Sequence, residues 1–236
     1  MRVPGLPADL LVPPRDEVLG LAIPFDRKRW LSHLPDATWW PAELDGCPCV
    51  GRWPRVDRRT VLGMADGVGT VEGRRHLLIA ALVWGTGTKA RSVNRRGHIF
   101  AHTSATHIDA RLATVLTVLR ERGAVAAYRA CRNDQRIPYL GPAFFTKFLY
   151  FAGHEDPVGP FRPLILDGVV SRALKDRKAV AENWPLNGWT TEQYARYLDV
   201  VHEQAASAGV MPDAVEAAWF ARGKRLPRSG PESASG

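Results

Sequence analysis

Residues 137–172, IPYLGPAFFTKFLYFAGHEDPVGPFRPLILDGVVSR, are the stretch on which the interpretation of this chain depends. A tight turn is predicted around Gly141, followed by a helix-like run in which Lys147 is the one cation among aromatic residues. A loop rich in Gly and Pro then leads to the apolar triplet 164–166, which delivers Asp167 to the start of another helix. An amine among aromatic rings and a lone carboxylate are costly features for a packing unit. We therefore predict that these two side chains form a reactive pair.

The composition of the 236-residue chain is that of an ordinary globular protein, with 45% hydrophobic and 24% charged residues. Thirty-two Lys and Arg residues outnumber 24 Asp and Glu, which gives a net charge of +8 and favours a polyanionic partner. Three cysteines without a framework spacing argue against a secreted, disulfide-stapled protein. The N-terminus lacks the hydrophobic region of a signal peptide, and the longest apolar run, Leu77–Trp84, is too short to cross a bilayer. We expect an intracellular protein that lies in the cytoplasm, associates with the nucleoid and does not bind a membrane.

Apolar residues recur at helical spacing along much of the chain, and no alternating strand pattern extends beyond a few residues. The pattern predicts an all-α protein with long N-terminal loops. We expect a Pro-rich arm at 1–15, a single helical domain at 16–223 that contains the hairpin and catalytic region 137–172, and a disordered tail at 224–236. Helices are predicted near 57–66, from Glu72 to the breaker at 85–88, at 106–122 with Gly123 as C-cap, at 124–132, from a capping box at Thr190 to Gly209, and from Pro212 to Ala221.

The turn at 137–141 suits contact with a nucleic-acid backbone. A Gly-containing turn points backbone N–H groups at a phosphate, and the N-terminus of the following helix adds its positive end. Such a contact does not depend on base sequence. An ordinary turn between two helices fits the same residues.

Two segments of the stretch resemble the helix–hairpin–helix DNA glycosylase superfamily. Residues 137–141 resemble its hairpin, usually Leu-Pro-Gly-Val-Gly, and residues 163–172 resemble its Val-Asp-x-His-Val-x-Arg segment. The resemblance is closer to bacterial 8-oxoguanine DNA glycosylase-like proteins and extends over roughly residues 75–224; it is carried by GPAFFTK (141–147), WGTG (84–87) and the PDxxE opening of the last helix (212–216). It implies a two-lobed helical fold, a monomer on double-stranded DNA, no organic cofactor, and compatibility with a monovalent cation at the hairpin.

The resemblance implies catalytic roles for Lys147 and Asp167. The first hairpin glycine is Tyr139 here, and Ala143 stands where the eukaryotic-type enzymes have their lysine; Lys147 follows one helical turn later. The archaeal-type enzymes look similar in placing a lysine after aromatic residues, so Lys147 is mapped to the nucleophile. Aromatic neighbours favour a neutral, nucleophilic amine, although a lysine can also snorkel to the surface. Asp167 would stabilise the positive sugar, a role compatible with a plain helix N-cap.

A base pocket is predicted on the last helix. Phe220 or Trp219 would stack on a flipped base while Glu216 reads its edge, with Phe151 as a further pocket residue. The alternative is a capping box formed by Asp213 and Glu216, with Phe220 in the core.

Basic residues follow the breaker at 85–88, whose glycine spacing is not that of a Walker loop. They are predicted to approach phosphates, the alternative being a solvated basic loop. Histidines 98, 102 and 107 have partial metal-ligand spacing but lack a further ligand, so we predict no metal site. The predicted DNA-binding residues are Lys89, Arg91, Arg95, Arg96, Tyr139, Gly141 and Arg172.

Together these features predict a DNA glycosylase that flips out and excises an oxidised or modified purine such as 8-oxoguanine. Attack by Lys147 on C1′ would leave a Schiff base able to proceed to strand cleavage, that is, AP-lyase activity. Two alternatives remain open: a non-enzymatic helix–hairpin–helix module that binds DNA, and a glycosylase for a modified base in defence against foreign DNA.

Overall fold

The computed structural model describes residues 5–227. Helices, the 3-10 helices included, make up 62% of these described residues and strands 4%, so the all-α prediction is confirmed. In chain order the helices are α1 (Arg15–Leu19), α2 (Arg27–Leu31), α3 (Ala42–Asp45), α4 (Arg58–Gly63), α5 (Val71–Thr86), α6 (Ala90–His102), α7 (Ala105–Arg132), α8 (Pro142–Gly153), α9 (Gly168–Asp176), α10 (Thr191–Ala208) and α11 (Pro212–Arg225). Two 3-10 helices occur at Ala37–Trp39 and Met64–Gly69.

The N-terminal region is more ordered than the sequence predicts. Strands β1 (Ile23–Pro24), β2 (Cys49–Val50) and β3 (Trp53–Val56) form a small antiparallel sheet in the order β1-β3-β2. Their pairing places Ile23 opposite Val56 and Cys49 opposite Pro54. The sequence predicts loops in this region, because strands of only two to four residues that contain prolines show no alternating pattern.

This region is built into the core around the C-terminal end of α5. The indole N–H of Trp84 donates to Leu21 O at 3.1 Å, and the Arg29 guanidinium donates to Thr88 O at 2.6 Å. Trp30 and Trp39 are fully buried. The aromatic N-terminal segment therefore packs against the end of α5 that carries the breaker residues.

Helix α5 is the centre of the hydrophobic core. All eight residues from Leu77 to Trp84 are buried. A helix that is apolar on every side must be enclosed by other elements, and α5 lies against α4, α7 and α8. Within the described part of the chain, no helix has both the length and the apolarity that a membrane span requires.

The backbone features that the sequence predicts at Gly123, Thr190 and Gly209 occur in α7 and α10. Gly123 has φ 77° and ψ −174° inside α7, so the predicted helix, cap and short second helix form one kinked element. A Cβ at Gly123 would lie 2.5 Å from Val158 O, so the kink also lets the 153–163 loop approach closely. The capping box between Thr190 and Gln193 is confirmed, and Gly209 ends α10 in the left-handed conformation.

The two chain ends differ from their predicted outlines. Arg15 of the predicted arm already begins α1, and Leu10 is buried, while residues 1–4 lie outside the described residues. Helix α11 extends to Arg225, so Lys224 and Arg225 are helical, and the predicted tail beyond 227 also lies outside the described residues. The alternative of a capping box at the start of α11 is wrong, because no side chain caps this helix. Asp213, which would form the box, is fully buried in the core instead.

Candidate active site

Helix α8 places Lys147 inside the protein. The helix begins after Gly141 with Pro142 at its first position, where a missing N–H has no cost and the fixed φ suits a helix. Lys147 is 4% exposed, so it does not snorkel to the surface. Its Nζ donates to Ala143 O at 2.7 Å and lies 3.4 Å from Oδ2 of Asp167. The structure thus brings the two predicted catalytic residues into contact.

Asp167 uses its two carboxylate oxygens differently. Oδ1 accepts hydrogen bonds from the backbone N–H groups of Val169 and Val170, at 2.9 and 3.1 Å, and so caps α9. Oδ2 faces the amine of Lys147. Capping occupies only Oδ1, so it is compatible with the chemical role predicted for Asp167.

The apolar triplet before Asp167 is held in place at every residue. The Tyr194 hydroxyl donates to Leu164 O at 3.0 Å, and the Tyr197 hydroxyl donates to Ile165 O at 2.7 Å. The hydroxyl of Thr146, the neighbour of Lys147, accepts from the Leu166 N–H at 3.3 Å. Helices α8 and α10 thus fix the position of the carboxylate through buried hydrogen bonds, which are strong where water is excluded.

Gly85 makes room for the amine, a function that the sequence analysis missed. A Cβ at Gly85 would lie 2.6 Å from Cδ of Lys147, 2.9 Å from its Cε and 3.0 Å from the Phe144 ring. Separations under 3.0 Å do not occur between such atoms, so only glycine lets α5 pass this close to the lysine. The sequence predicts Gly85 as part of a helix stop, and no signal in the sequence distinguishes that role from making room for a lysine.

The hairpin has an unusual residue at its left-handed position. Tyr139 has φ 64° and is 48% exposed, whereas Gly141 has φ −80°, which any residue adopts. The Tyr139 ring lies 4.7 Å from that of His102 and 5.2 Å from that of His98, measured between centroids. The two histidines therefore form an aromatic stack with the hairpin, and the described residues contain no cluster of three or more metal-ligating side chains.

The predicted DNA-binding cations occupy three environments. Lys89, Arg91 and Arg95 are exposed at the start of α6. Arg96, next to them, is buried. Arg172 on α9 is half-buried and donates to Gly223 O at 3.2 Å, so it is tied to α11.

The four predicted base-pocket residues do not line one open pocket in the described chain. Phe151 packs edge-to-face on Trp84 at 5.5 Å and borders a cavity of about 320 Å³ that neither Lys147 nor Asp167 borders. Trp219 is fully buried, with its indole N–H donating to Oε1 of Gln204 at 2.9 Å. Glu216 is also fully buried, and only Phe220 keeps part of its ring at the surface.

Glu216 is buried because it pairs with Arg58, a residue that the sequence analysis did not single out. Nη2 of Arg58 lies 2.7 Å from Oε2 of Glu216, and its guanidinium packs between the rings of Trp84 and Tyr150, at 5.0 and 5.2 Å. Burial raises the pKa of Glu216 although Arg58 acts in the opposite direction.

A second buried carboxylate, Asp213, lies on the same helix. It accepts hydrogen bonds from the Tyr150 hydroxyl, at 2.9 Å, and from Arg15, and His154 Nε2 lies 3.4 Å away. Burial alone would raise the pKa of Asp213, but His154, Arg15 and Tyr150 outweigh it and hold that pKa well below its ordinary value.

A buried lysine beside the carboxylate that caps the next helix, in a helical fold, is the arrangement that the resemblance to DNA glycosylases predicts. The family is more specific. The chain belongs to the family described as "Putative 8-oxoguanine DNA glycosylase OGG-like protein", whose model matches residues 16–220. The match begins well before residue 75, so it includes the small sheet and α1 to α4, where we had seen no resemblance. No curated protein and no solved structure matches the chain.

Proposed function

We propose that this protein is a DNA glycosylase that excises an oxidised purine such as 8-oxoguanine, with Lys147 as nucleophile and Asp167 as its carboxylate partner. The observation that carries the proposal is the 3.4 Å contact between a buried amine and a helix-capping carboxylate, in a chain of this family. Few purely structural roles need a lysine that is only 4% exposed beside a carboxylate with one oxygen not used for capping.

Binding would begin on the basic surface. The net charge of +8 and the exposed cations at the start of α6 favour a duplex without selecting a sequence. The backbone of the turn at 137–141 and the N-terminus of α8 would add contacts to phosphate. The target nucleotide must then leave the stack, because its C1′ cannot otherwise reach an amine held inside the protein.

The chemical step forms one bond and breaks another at C1′. Water takes a proton from Lys147, and the neutral Nζ forms a bond to C1′ while the glycosidic C–N bond breaks. The electron pair of that bond leaves with the base, which takes up a proton. Opening of the sugar ring gives a protonated Schiff base, and loss of the 3′ phosphate by elimination then cleaves the strand. The carboxylate of Asp167, held in place by its hydrogen bonds from α9, stabilises the positive charge that develops on the sugar.

Phe220 is our proposed stacking residue for the flipped base. It lies one turn beyond Glu216 on α11, its ring is partly exposed, and α11 packs against α9, which begins at the catalytic carboxylate. Phe151, Glu216 and Trp219 would support the pocket from the core.

Borohydride trapping tests the proposal. A duplex with one 8-oxoguanine should give a covalent protein–DNA adduct with the wild type, and Lys147→Gln should give none because the Schiff base cannot form. Lys28→Gln is the matched control, since it removes an exposed lysine of α2 that has no proposed role and should leave trapping intact.

Each other outcome has a definite meaning. Excision without an adduct would assign the attack to water, with Asp167 as the remaining catalytic group. An adduct that persists in Lys147→Gln would place the nucleophile elsewhere. If the wild type neither excises nor traps on any of a panel of modified bases, but still binds duplex DNA, the chain is a DNA-binding module and the proposal fails.

A further inference from the structure

Arg96 differs from the other buried cations of the described chain. Lys147 and Arg58 are buried and each faces a carboxylate, Asp167 and Glu216. Arg96 is only 8% exposed, yet within residues 5–227 neither a carboxylate nor a hydrogen-bond acceptor contacts it. Its one specific contact is with the ring of Phe144, whose centroid lies 4.2 Å from Cζ.

A buried guanidinium without an anion is unfavourable. Removing the charge from water is costly, and an aromatic face compensates for only part of that cost. Burial, with a smaller contribution from the neighbouring Arg95, lowers the pKa of Arg96 to about 10, so the group remains charged at neutral pH. Some described side chains have nitrogens or oxygens that are sealed from solvent and have no partner, but the nitrogens of Arg96 are not among them. The guanidinium group therefore keeps some contact with solvent. An incoming anion could therefore reach it.

The position of Arg96 indicates which anion this would be. Phe144 contacts Arg96 and also lies under Lys147, whose Nζ is 5.3 Å from the ring centroid. An anion on the guanidinium would thus be held one aromatic ring away from the reactive amine. In a flipped nucleotide, the anionic groups nearest to C1′ are the two flanking phosphates. A planar guanidinium matches the geometry of phosphate oxygens with paired hydrogen bonds.

We infer that Arg96 binds a phosphate that flanks the flipped nucleotide and so positions C1′ over Lys147; this inference rests on the proposed function. The exposed cations of α6 would act on any duplex, because undistorted backbone can reach them. Arg96 engages only when a nucleotide has entered the site. Its contribution therefore appears in the preference for extrahelical nucleotides rather than in general affinity.

The test compares Arg96→Gln with Arg95→Gln, a matched pair of neighbours of which one is buried and the other exposed. Affinity is measured for an undamaged duplex and for the same duplex with one tetrahydrofuran abasic analogue, which keeps the flanking phosphates but has no base. Arg96→Gln should lower affinity for the abasic duplex by about tenfold or more, the effect of one charge-assisted contact, and change the undamaged duplex less than twofold. Arg95→Gln should weaken both duplexes by the same factor.

Neutral phosphate analogues then locate the contact. A methylphosphonate at one flanking position removes the charge from the DNA side, so wild type and Arg96→Gln should bind that abasic duplex alike. Equal loss on both duplexes in Arg96→Gln would make Arg96 a general backbone contact, and no loss on either would leave it a structural cation; both results overturn the inference. Unfolding by urea checks that Arg96→Gln folds normally.

The inference and the proposed function can fail separately. Binding of the abasic duplex involves no chemical step, so the affinity measurement tests the role of Arg96 independently of borohydride trapping. If trapping requires Lys147 while Arg96→Gln keeps the full abasic preference, only the role of Arg96 is lost. A wild type without any abasic preference overturns the role of Arg96, and the excision assay alone then decides the proposed function.

Discussion

The pairs Arg58–Glu216 and Lys147–Asp167 each join a buried cation to a carboxylate, and they are built differently. Arg58 and Glu216 approach to 2.7 Å with side chains 1% and 0% exposed, and 158 residues separate them in the chain. Lys147 and Asp167 lie 3.4 Å apart, 20 residues from each other, and the Asp167 side chain is 16% exposed.

The difference separates a pair that holds the fold from a pair that can change partners. The sealed Arg58–Glu216 pair has almost no contact with solvent, and loss of one member leaves the other charge unpaired in the core. In the open pair, Asp167 keeps its hydrogen bonds from α9 without the amine, and Lys147 otherwise contacts a backbone carbonyl. The proposed nucleophile, Lys147, must be free to leave its carboxylate, and the looser geometry permits this.

The largest effect is expected from breaking the sealed pair. Arg58→Met keeps much of the side-chain length but leaves Glu216 unpaired, so the free energy of unfolding should fall by about 3–5 kcal/mol. Urea denaturation measures this loss. Lys147→Gln should lose clearly less, because Asp167 remains capped and partly hydrated.

The double variant Arg58→Met with Glu216→Leu sharpens the same point. It replaces both charges with apolar groups, so it should regain most of the lost stability. If the double variant is as unstable as Arg58→Met alone, the cost comes from packing and the description of a sealed ion pair is wrong.

Asp167→Asn should have the next largest effect, on excision and not on folding. The amide keeps the size and much of the capping ability, so the loss of stability should be about 1 kcal/mol or less. Removal of the fixed negative charge should slow single-turnover excision by roughly 10²–10³-fold, the range for one preorganised electrostatic contact. Lesion binding serves as the control and should persist. Near-normal turnover would reduce Asp167 to a helix cap.

Gly85→Ala displaces the amine without altering any charge. Its Cβ would lie 2.6 Å from Cδ of Lys147, so the lysine must shift, and a displacement of this kind lowers rates by about 10²-fold. The control is Gly63→Ala, where a Cβ has no atom within 4 Å. Equal rates for both variants in single-turnover excision would show that the close approach of α5 is unimportant.

The smallest effect is expected on the free energy of unfolding at low pH, and it concerns Asp213, the other buried carboxylate of α11. Its pKa is held below the ordinary value, so its interactions stabilise the fold above the unfolded-state pKa near 4 and are lost as pH falls further. The contribution of a single proton is at most about 1.4 kcal/mol per pH unit. Unfolding free energies of the wild type should therefore fall more steeply below pH 4 than those of Asp213→Asn. Parallel curves would contradict the lowered pKa.

Sequence predicts the elements whose signals are local. Gly123, the capping box at Thr190 and Gly209 were all identified because a backbone conformation or a cap depends on a few neighbouring residues. Lys147 and Asp167 were identified from the aromatic residues around Lys147 and from the resemblance of residues 137–172 to a known superfamily, and the structure places them in contact.

Features that depend on distant partners were not predictable in this way. Nothing near Arg58 indicates that its carboxylate lies 158 residues away, and without Arg58 the burial of Glu216 cannot be foreseen. Gly85 has the same local appearance whether it ends a helix or accommodates a lysine from α8. The strands around Pro24 and Pro54 are specified by their pairing, and their own residues carry no alternation.

The long span of the sealed pair has a consequence for synthesis on the ribosome. Arg58 emerges 158 residues before Glu216, and at 5–20 residues per second the nascent chain carries it without its carboxylate for roughly 8–30 s. Arg15 likewise precedes Asp213 by 198 residues. The N-terminal segments therefore cannot complete their packing before α11 has been synthesised, and Arg58 and Arg15 remain without their carboxylates until then.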